Sequence, residues 1–238
     1  MKTHRQFIFI VIISLFSKTT FAHKEKWDDD RTDWSLLMKA IYKGNNANTI
    51  ELIKKGAYIN YRIKSRWHLA AFDVAVNSDN IEAVKLLLST DSIEAPAEYI
   101  WSACVFSKKK DIVELLFKNK GNANDTSNIG YSILMRAVQG ETSSIVKFLL
   151  EQGAKPNQQT NNNGMSALMF ATLNGNIEII NLLLLHGAHK YLKSSDSKTA
   201  YDYINLYSAY EYKNPKKKTI AKMELLMNNP GAEPRGIK

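Results

Sequence analysis

The 238 residues of the chain include a single cysteine, Cys104, so no intramolecular disulfide can form in any compartment. Beyond the first 22 residues, no run is long and apolar enough to span a bilayer. A Gly-rich phosphate loop, a Gly-x-Ser-x-Gly elbow and a zinc-protease pair of helical histidines are all missing. Asp28, Asp29 and Asp30 stand in a row without the alternating ligands and glycine of a calcium loop. His186 and His189 flank a Gly-Ala turn, but no cysteine or carboxylate is grouped with them, and His68 is distant in sequence. They read as exposed turn histidines. These absences leave no candidate catalytic residue, no metal site and no cofactor, and they direct attention to surfaces.

Basic residues outnumber acidic ones, 32 to 23, for a formal charge of +9. Part of the excess sits in Lys108-Lys109-Lys110 and Lys216-Lys217-Lys218. Two separated triplets, with no basic stripe interleaved with aromatics and no nucleic-acid motif, read as solvated loop charges, so no nucleic-acid partner is expected.

The N-terminus has its own pattern. Lys2, His4 and Arg5 precede an apolar run from Phe7 to Phe16, and Thr20-Phe21-Ala22 puts small residues where a signal peptidase reads. Ten apolar residues reach only about 15 Å as a helix, against a hydrocarbon core of roughly 30 Å. Residues 1–22 are therefore expected to be a signal peptide cleaved after Ala22, which makes the chain an exported one. His23 follows the cut, which excludes a lipidated cysteine there. Cleavage removes Lys2, Arg5 and Lys18 and no acid, so +9 less 3 leaves +6 on the mature chain. No membrane association is expected after cleavage.

What the chain has in quantity is self-similarity. Ser132-Ile133-Leu134-Met135-Arg136-Ala137 leads to Ile145-Val146-Lys147-Phe148-Leu149-Leu150 and Gly153-Ala154-Lys155-Pro156-Asn157. The pattern returns as Ser166-Ala167-Leu168-Met169-Phe170-Ala171, then Leu182 to Leu185 and Gly187-Ala188. An earlier copy runs from Ser35-Leu36-Leu37-Met38-Lys39-Ala40 to Gly56-Ala57-Tyr58-Ile59-Asn60. A period of this length marks a stacked array, in which no helix pair buries its apolar face alone. Each copy opens a short helix at Ser or Thr, breaks at polar residues such as Gly44-Asn45 or Asn174-Gly175-Asn176, and runs a second helix on Ile, Val and Leu. It stops at Gly-Ala, where the glycine supplies a left-handed cap. Cys104 falls in the slot held elsewhere by Ala40, Ala75, Ala137 and Ala171, so a buried, inert thiol is expected.

This grammar resembles the ankyrin repeat, with its Thr-Pro-Leu-His-x-Ala signature and Leu-Leu…Gly-Ala…Asn ending. The resemblance covers residues 33–227, in copies at about 33–62, 66–95, 96–126, 128–160, 161–193 and 196–227. A polar lead-in precedes it at 23–32, and a flexible tail follows at 228–238. It implies an all-α fold, an ankyrin-repeat solenoid of helix-turn-helix pairs with short β-hairpin-like links. Asp91 and Lys120 occupy Gly slots, so irregularity is expected in the second and third copies.

The resemblance also implies a use. Ankyrin arrays bind proteins on a concave side made of the link tips and the exposed face of each first helix. By that pattern the candidate partner-binding residues are Trp34, Tyr42, Arg66, Trp67, Phe106, Tyr131, Gln139 and Met165, with Tyr61 and Arg62 beside them in the first link. Trp, Tyr and Arg dominate interface energetics. The expected function is a non-catalytic, exported module, monomeric by itself, that binds one protein of unknown identity. Its net positive charge would steer an acidic partner surface toward it. The short n-region and a chain rich in Lys, Asn and Ile point to a bacterial periplasmic protein, an accessory or immunity protein of an envelope enzyme or toxin. The alternative is an effector secreted onward to bind a host protein. On this reading, replacing Trp67 and Tyr131 by Ala abolishes capture of the partner and leaves the melting point unchanged; unfolding would show that those rings are core.

Overall fold

The computed structural model describes residues 34–63, 69–90, 100, 103–104, 110–119, 121–204 and 217–229. The expected signal peptide and lead-in, Arg66, Trp67, Asp91, Phe106, Lys120 and the end from residue 230 lie outside them. The chain forms two compact units, Met1–Gly121 and Asn122–Lys238. The described residues are helices, turns and links, without a sheet, which gives the all-α class. Isolated antiparallel bridges, Thr126 with Ser132 and Gln159 with Ser166, are what the hairpin-like links amount to in the second unit.

The first unit contains α1 (Leu36–Tyr42), α2 (Asn46–Lys54), α3 (Ala71–Asn77), α4 (Ile81–Leu88) and α5 (Lys110–Lys118). The second contains α6 (Ile133–Gln139), α7 (Ser143–Glu151), α8 (Ala167–Asn174), α9 (Ile177–Leu185) and α10 (Lys217–Asn228). The stacking is the same in both. First helices pack on first helices (α1 on α3, α6 on α8), second on second (α2 on α4, α7 on α9), and each pair packs on itself. In the first unit α4 meets α5, and in the second α9 meets α10. Buried Ala40, Ala75, Ala137 and Ala171 let the first helices approach, while Leu, Ile and Val fill the layer behind them. Cys104 is fully buried, as its alanine slot requires.

The helix starts follow from side-chain chemistry. Ser35, Ser132 and Ser166 accept from Met38, Met135 and Met169 N–H, and Asn45, Asn80 and Asn176 do the same for second helices. At the signature position where ankyrin repeats carry His, an acceptor reaches back to the cap N–H. Asp73 accepts from Ala70 N at 2.8 Å and Asp202 from Thr199 N at 2.8 Å. Met135 and Met169 put sulfur there, 3.5 and 3.4 Å from Ser132 N and Ser166 N. The Thr199 hydrogen bonds hold the Asp202 carboxyl below its ordinary range.

Left-handed backbone appears where glycine was expected, with φ of 80°, 82° and 83° at Gly56, Gly153 and Gly187. A second such position lies between the paired helices. Gly44 and Gly175 fill it in two copies, but Asp79 and Glu141 adopt φ of 55° in the others. In the fourth copy the preceding Gly140 is right-handed, at φ −68°, so a glycine one residue away does not relieve Glu141. Each such non-glycine residue costs about 1 kcal/mol, which the flanking helices must hold in place.

Neighbouring copies are joined by asparagine. Asn124 donates to Gly153 O at 3.1 Å and accepts from Lys155 N at 2.9 Å. Asn157 repeats this on the next turn, to Gly187 O at 2.9 Å and from His189 N at 2.7 Å. After the last Gly-Ala turn, Tyr191 takes the asparagine slot, and the adjacent Lys190 ammonium donates instead to Met227 O at 2.5 Å, near the end of α10. In the first unit the cap residue Asn80 donates to Ile41 O at 3.0 Å, one helix pair back. Asn157→Ala removes two hydrogen bonds with no apolar replacement. It should lower the unfolding free energy by about 1–2 kcal/mol, read from urea unfolding, without altering the helical content of the folded chain.

Candidate protein-binding surface

In the first unit the surface is built on the first link. Ile63 N–H donates to Leu69 O at 3.0 Å and closes the base of that link. Tyr61 and Arg62 precede the closure and are both exposed. The Arg62 guanidinium stands 4.0 Å from the Asp73 carboxylate, whose other task is to cap α3. Tyr58, two residues past the left-handed Gly56, is 70% exposed. Trp34 is only 6% exposed and meets Tyr42 edge to face, with centroids 5.6 Å apart. Tyr42 keeps part of its surface.

In the second unit the link tips touch. Each closes on itself, through Ser127 N–H to Tyr131 O, Thr160 N–H to Met165 O and Ser194 N–H to Lys198 O. Asn161 N–H then donates to Ile129 O and Ser195 N–H to Asn163 O, both at 2.9 Å, so three successive tips form one hydrogen-bonded row. Asn128, Ile129, Asn161, Asn162 and Ser195 face solvent along it. Burial pushes the Asp196 carboxyl up, and hydrogen bonds from Lys198 and Ser194 more than offset it, holding it below the usual range.

The predicted stripe therefore divides. Tyr42, like the neighbouring Tyr61 and Arg62, reaches the surface. Trp34, Tyr131, Gln139 and Met165 do not: they are 6%, 7%, 8% and 0% exposed, and the expectation that they stand out as a free aromatic and aliphatic stripe is corrected. The physical reason is the close stacking of first helices. The Tyr131 ring packs on Phe170 of the next copy with centroids 5.3 Å apart, whereas Trp34 packs on Tyr42 of its own copy. The Arg136 guanidinium stands 5.8 Å over the Tyr131 ring and donates to Gln139 Oε1 at 3.2 Å. Burial pushes the Tyr131 phenol far above its ordinary range, and the positive charge of Arg136 pulls it partly back. Arg66, Trp67 and Phe106 lie outside the described residues.

Sequence reading passed over other exposed groups, namely Tyr58, Ile129 and Tyr191. The available signal was position, since each sits on a turn or link tip where no next helix covers it. His186 and His189 are exposed, with His186 Nδ1 2.8 Å from Leu182 O. Among the described residues no three His, Cys, Asp or Glu cluster as metal ligands, and no helix is long and apolar enough to cross a membrane.

Helix pairs of this kind, joined by Gly-Ala turns and hairpin-like links, define ankyrin repeats, and comparison with known proteins agrees. Residues 100–194 match the family model for ankyrin repeats, in three copies. An ankyrin repeat protein of Rickettsia bellii (strain RML369-C) is 34% identical over 178 residues, 66% of this chain and 46% of that protein. One of fowlpox virus (strain NVSL) is 31% identical over 166 residues, 66% of this chain and 49% of its own length. Ankyrin repeat and SAM domain-containing protein 6 of Rattus norvegicus is 28% identical over 142 residues, 57% of this chain and 16% of that protein. The chain thus spans about half the length of the first two relatives. Ankyrin repeats are in general non-catalytic protein-binding modules.

Because the Tyr131 ring is core, removing the whole ring tests packing. Tyr131→Ala should lower the unfolding free energy by about 3 kcal/mol, seen as an earlier denaturant midpoint. An unchanged midpoint would return the ring to the surface.

Proposed function

We propose that the mature chain is an exported binding protein that holds one protein partner through its link tips and the adjoining ends of its first helices. The observation that carries this reading is the row of link tips in the second unit, fixed to one another by Asn161 N–H to Ile129 O and Ser195 N–H to Asn163 O. A surface already ordered before binding loses little entropy on complex formation, so more of its contact energy appears as affinity. In the first unit the exposed rings of Tyr58 and Tyr61 supply the large, stiff, amphipathic contacts that interfaces favour. The formal +6 left after removal of residues 1–22 favours an acidic partner surface and fast encounter.

The N-terminal pattern of Lys2, Arg5, Phe7 to Phe16 and Ala22 supports export, and retention in the periplasm suits an accessory or immunity protein of an envelope enzyme or toxin. Two measurements test this. Fractionation of cells making the full chain should place the processed protein in the periplasm; recovery from the medium would replace this role with that of a secreted effector. Capture of a partner by the 23–238 chain should fall at least tenfold in the Tyr58→Ala, Tyr61→Ala double variant, while its melting temperature stays within about 2 °C of the parent. Full capture by that variant would remove the first link from the interface.

A further inference from the structure

The Tyr131 hydroxyl is buried and has no hydrogen-bond partner. The backbone is pinned on both sides, by Ser127 N–H to Tyr131 O at 2.9 Å and Tyr131 N–H to Ser127 Oγ at 3.2 Å, and the ring is held against Phe170. A buried phenol left without an acceptor is unfavourable, and protein interiors rarely keep one without a use. Arg136 lies across this ring, its Nη1 donating to the neutral oxygen of Gln139. Within the cluster of Tyr131, Gln139, Phe170 and Arg136, three are buried and Arg136 is partly exposed, on a long and flexible stem.

Taken together, the cluster offers an O–H with nothing to donate to, beneath a guanidinium that donates to an uncharged amide oxygen. We propose that the Tyr131 hydroxyl and the Arg136 guanidinium form a receptor for a carboxylate side chain, Asp or Glu, presented by the protein partner. The inference rests on the reading of the chain as a protein-binding module and names the group that this part of the second unit recognises. A carboxylate displaces the Gln139 oxygen from Arg136, because charge-assisted hydrogen bonds are about twice as strong as neutral ones. As the guanidinium turns to follow it, the phenol beneath is uncovered and donates to the second carboxylate oxygen. A neutral amide gains neither the charge on Arg136 nor an advantage over Gln139, so the receptor discriminates by charge as well as shape.

The test uses an acetylated, amidated Gly-Glu-Gly peptide and its Gly-Gln-Gly twin, added to the 23–238 chain and followed by NMR at the Tyr131 ring and the Arg136 side chain. The Glu peptide should move these resonances saturably, and the Gln peptide should not. Tyr131→Phe should weaken the Glu peptide about tenfold while leaving the melting temperature unchanged or higher, because it deletes an unsatisfied group and keeps the ring. Arg136→Met should abolish the response. Equal response to both peptides, full affinity in Tyr131→Phe, or a lower melting temperature in that variant would each overturn the proposal, the last by showing that the hydroxyl already has a structural partner. The peptide measurement needs no partner protein. A chain that ignores the peptide yet captures its partner sinks this inference and leaves the protein-binding reading standing.

Discussion

A primary amide donates and accepts at the same time, and the joints of this chain depend on that property. A stacked array has a geometric problem that a closed globule lacks: each copy must fix both its distance from the next copy and its register along it. Apolar burial supplies the distance but is non-directional. Asn124 and Asn157 supply the register, each gripping a carbonyl and an N–H of the following Gly-Ala turn within 3.1 Å. Asn80 combines the two jobs, capping its own helix through Oδ1 while its Nδ2 reaches Ile41 O one helix pair back. Serine and threonine hydroxyls also donate and accept, but on one atom, whereas the amide spreads its donor and acceptor over two. Aspartate would lose the donor, and serine would not reach.

Once the turns are registered, the rest of each unit follows. First helices that must superimpose need small residues between them, hence the alanines and Cys104 in one slot. Links anchored at both ends are short enough to close on themselves and, in the second unit, to bond to one another. The same closeness explains why Tyr131 is core, its ring lying on Phe170 of the next copy. A large ring in that place becomes part of the stack and leaves little of its surface exposed. Large side chains stay exposed at the tips and turns, where Tyr58, Tyr61 and Ile129 are found, and Arg136 stays partly exposed.

The helix pairs were legible in the sequence because their signal is repeated. One copy of Leu-Leu…Gly-Ala is ambiguous, but several in register are not, and the left-handed Gly56, Gly153 and Gly187 could be placed to the residue. Asp79 and Glu141 could not be, since local propensity disfavours left-handed backbone at both and Gly140 offered a better candidate next door. Only the tertiary requirement that the second helix fold back at a fixed angle puts the strain where it is. The surface was harder still. Family pattern says which way a residue points within its own copy, but burial depends on what its neighbour places opposite. For Tyr131 that neighbour is Phe170, and nothing local to Tyr131 reveals it. The asparagines were visible as the endings of copies, but their double bonding to the next turn was not.

The central claim is that amide clamps, and not apolar contact alone, hold one copy in register on the next. Native-state hydrogen exchange at the Lys155 and His189 N–H groups addresses it directly, since both lie in solvent-facing turns and donate to Asn124 and Asn157. The account predicts that these two amides exchange as slowly as those of α7 and α9 and are released in the same cooperative opening. Exchange at the rate of an unprotected loop amide, with the helices still protected, would contradict it.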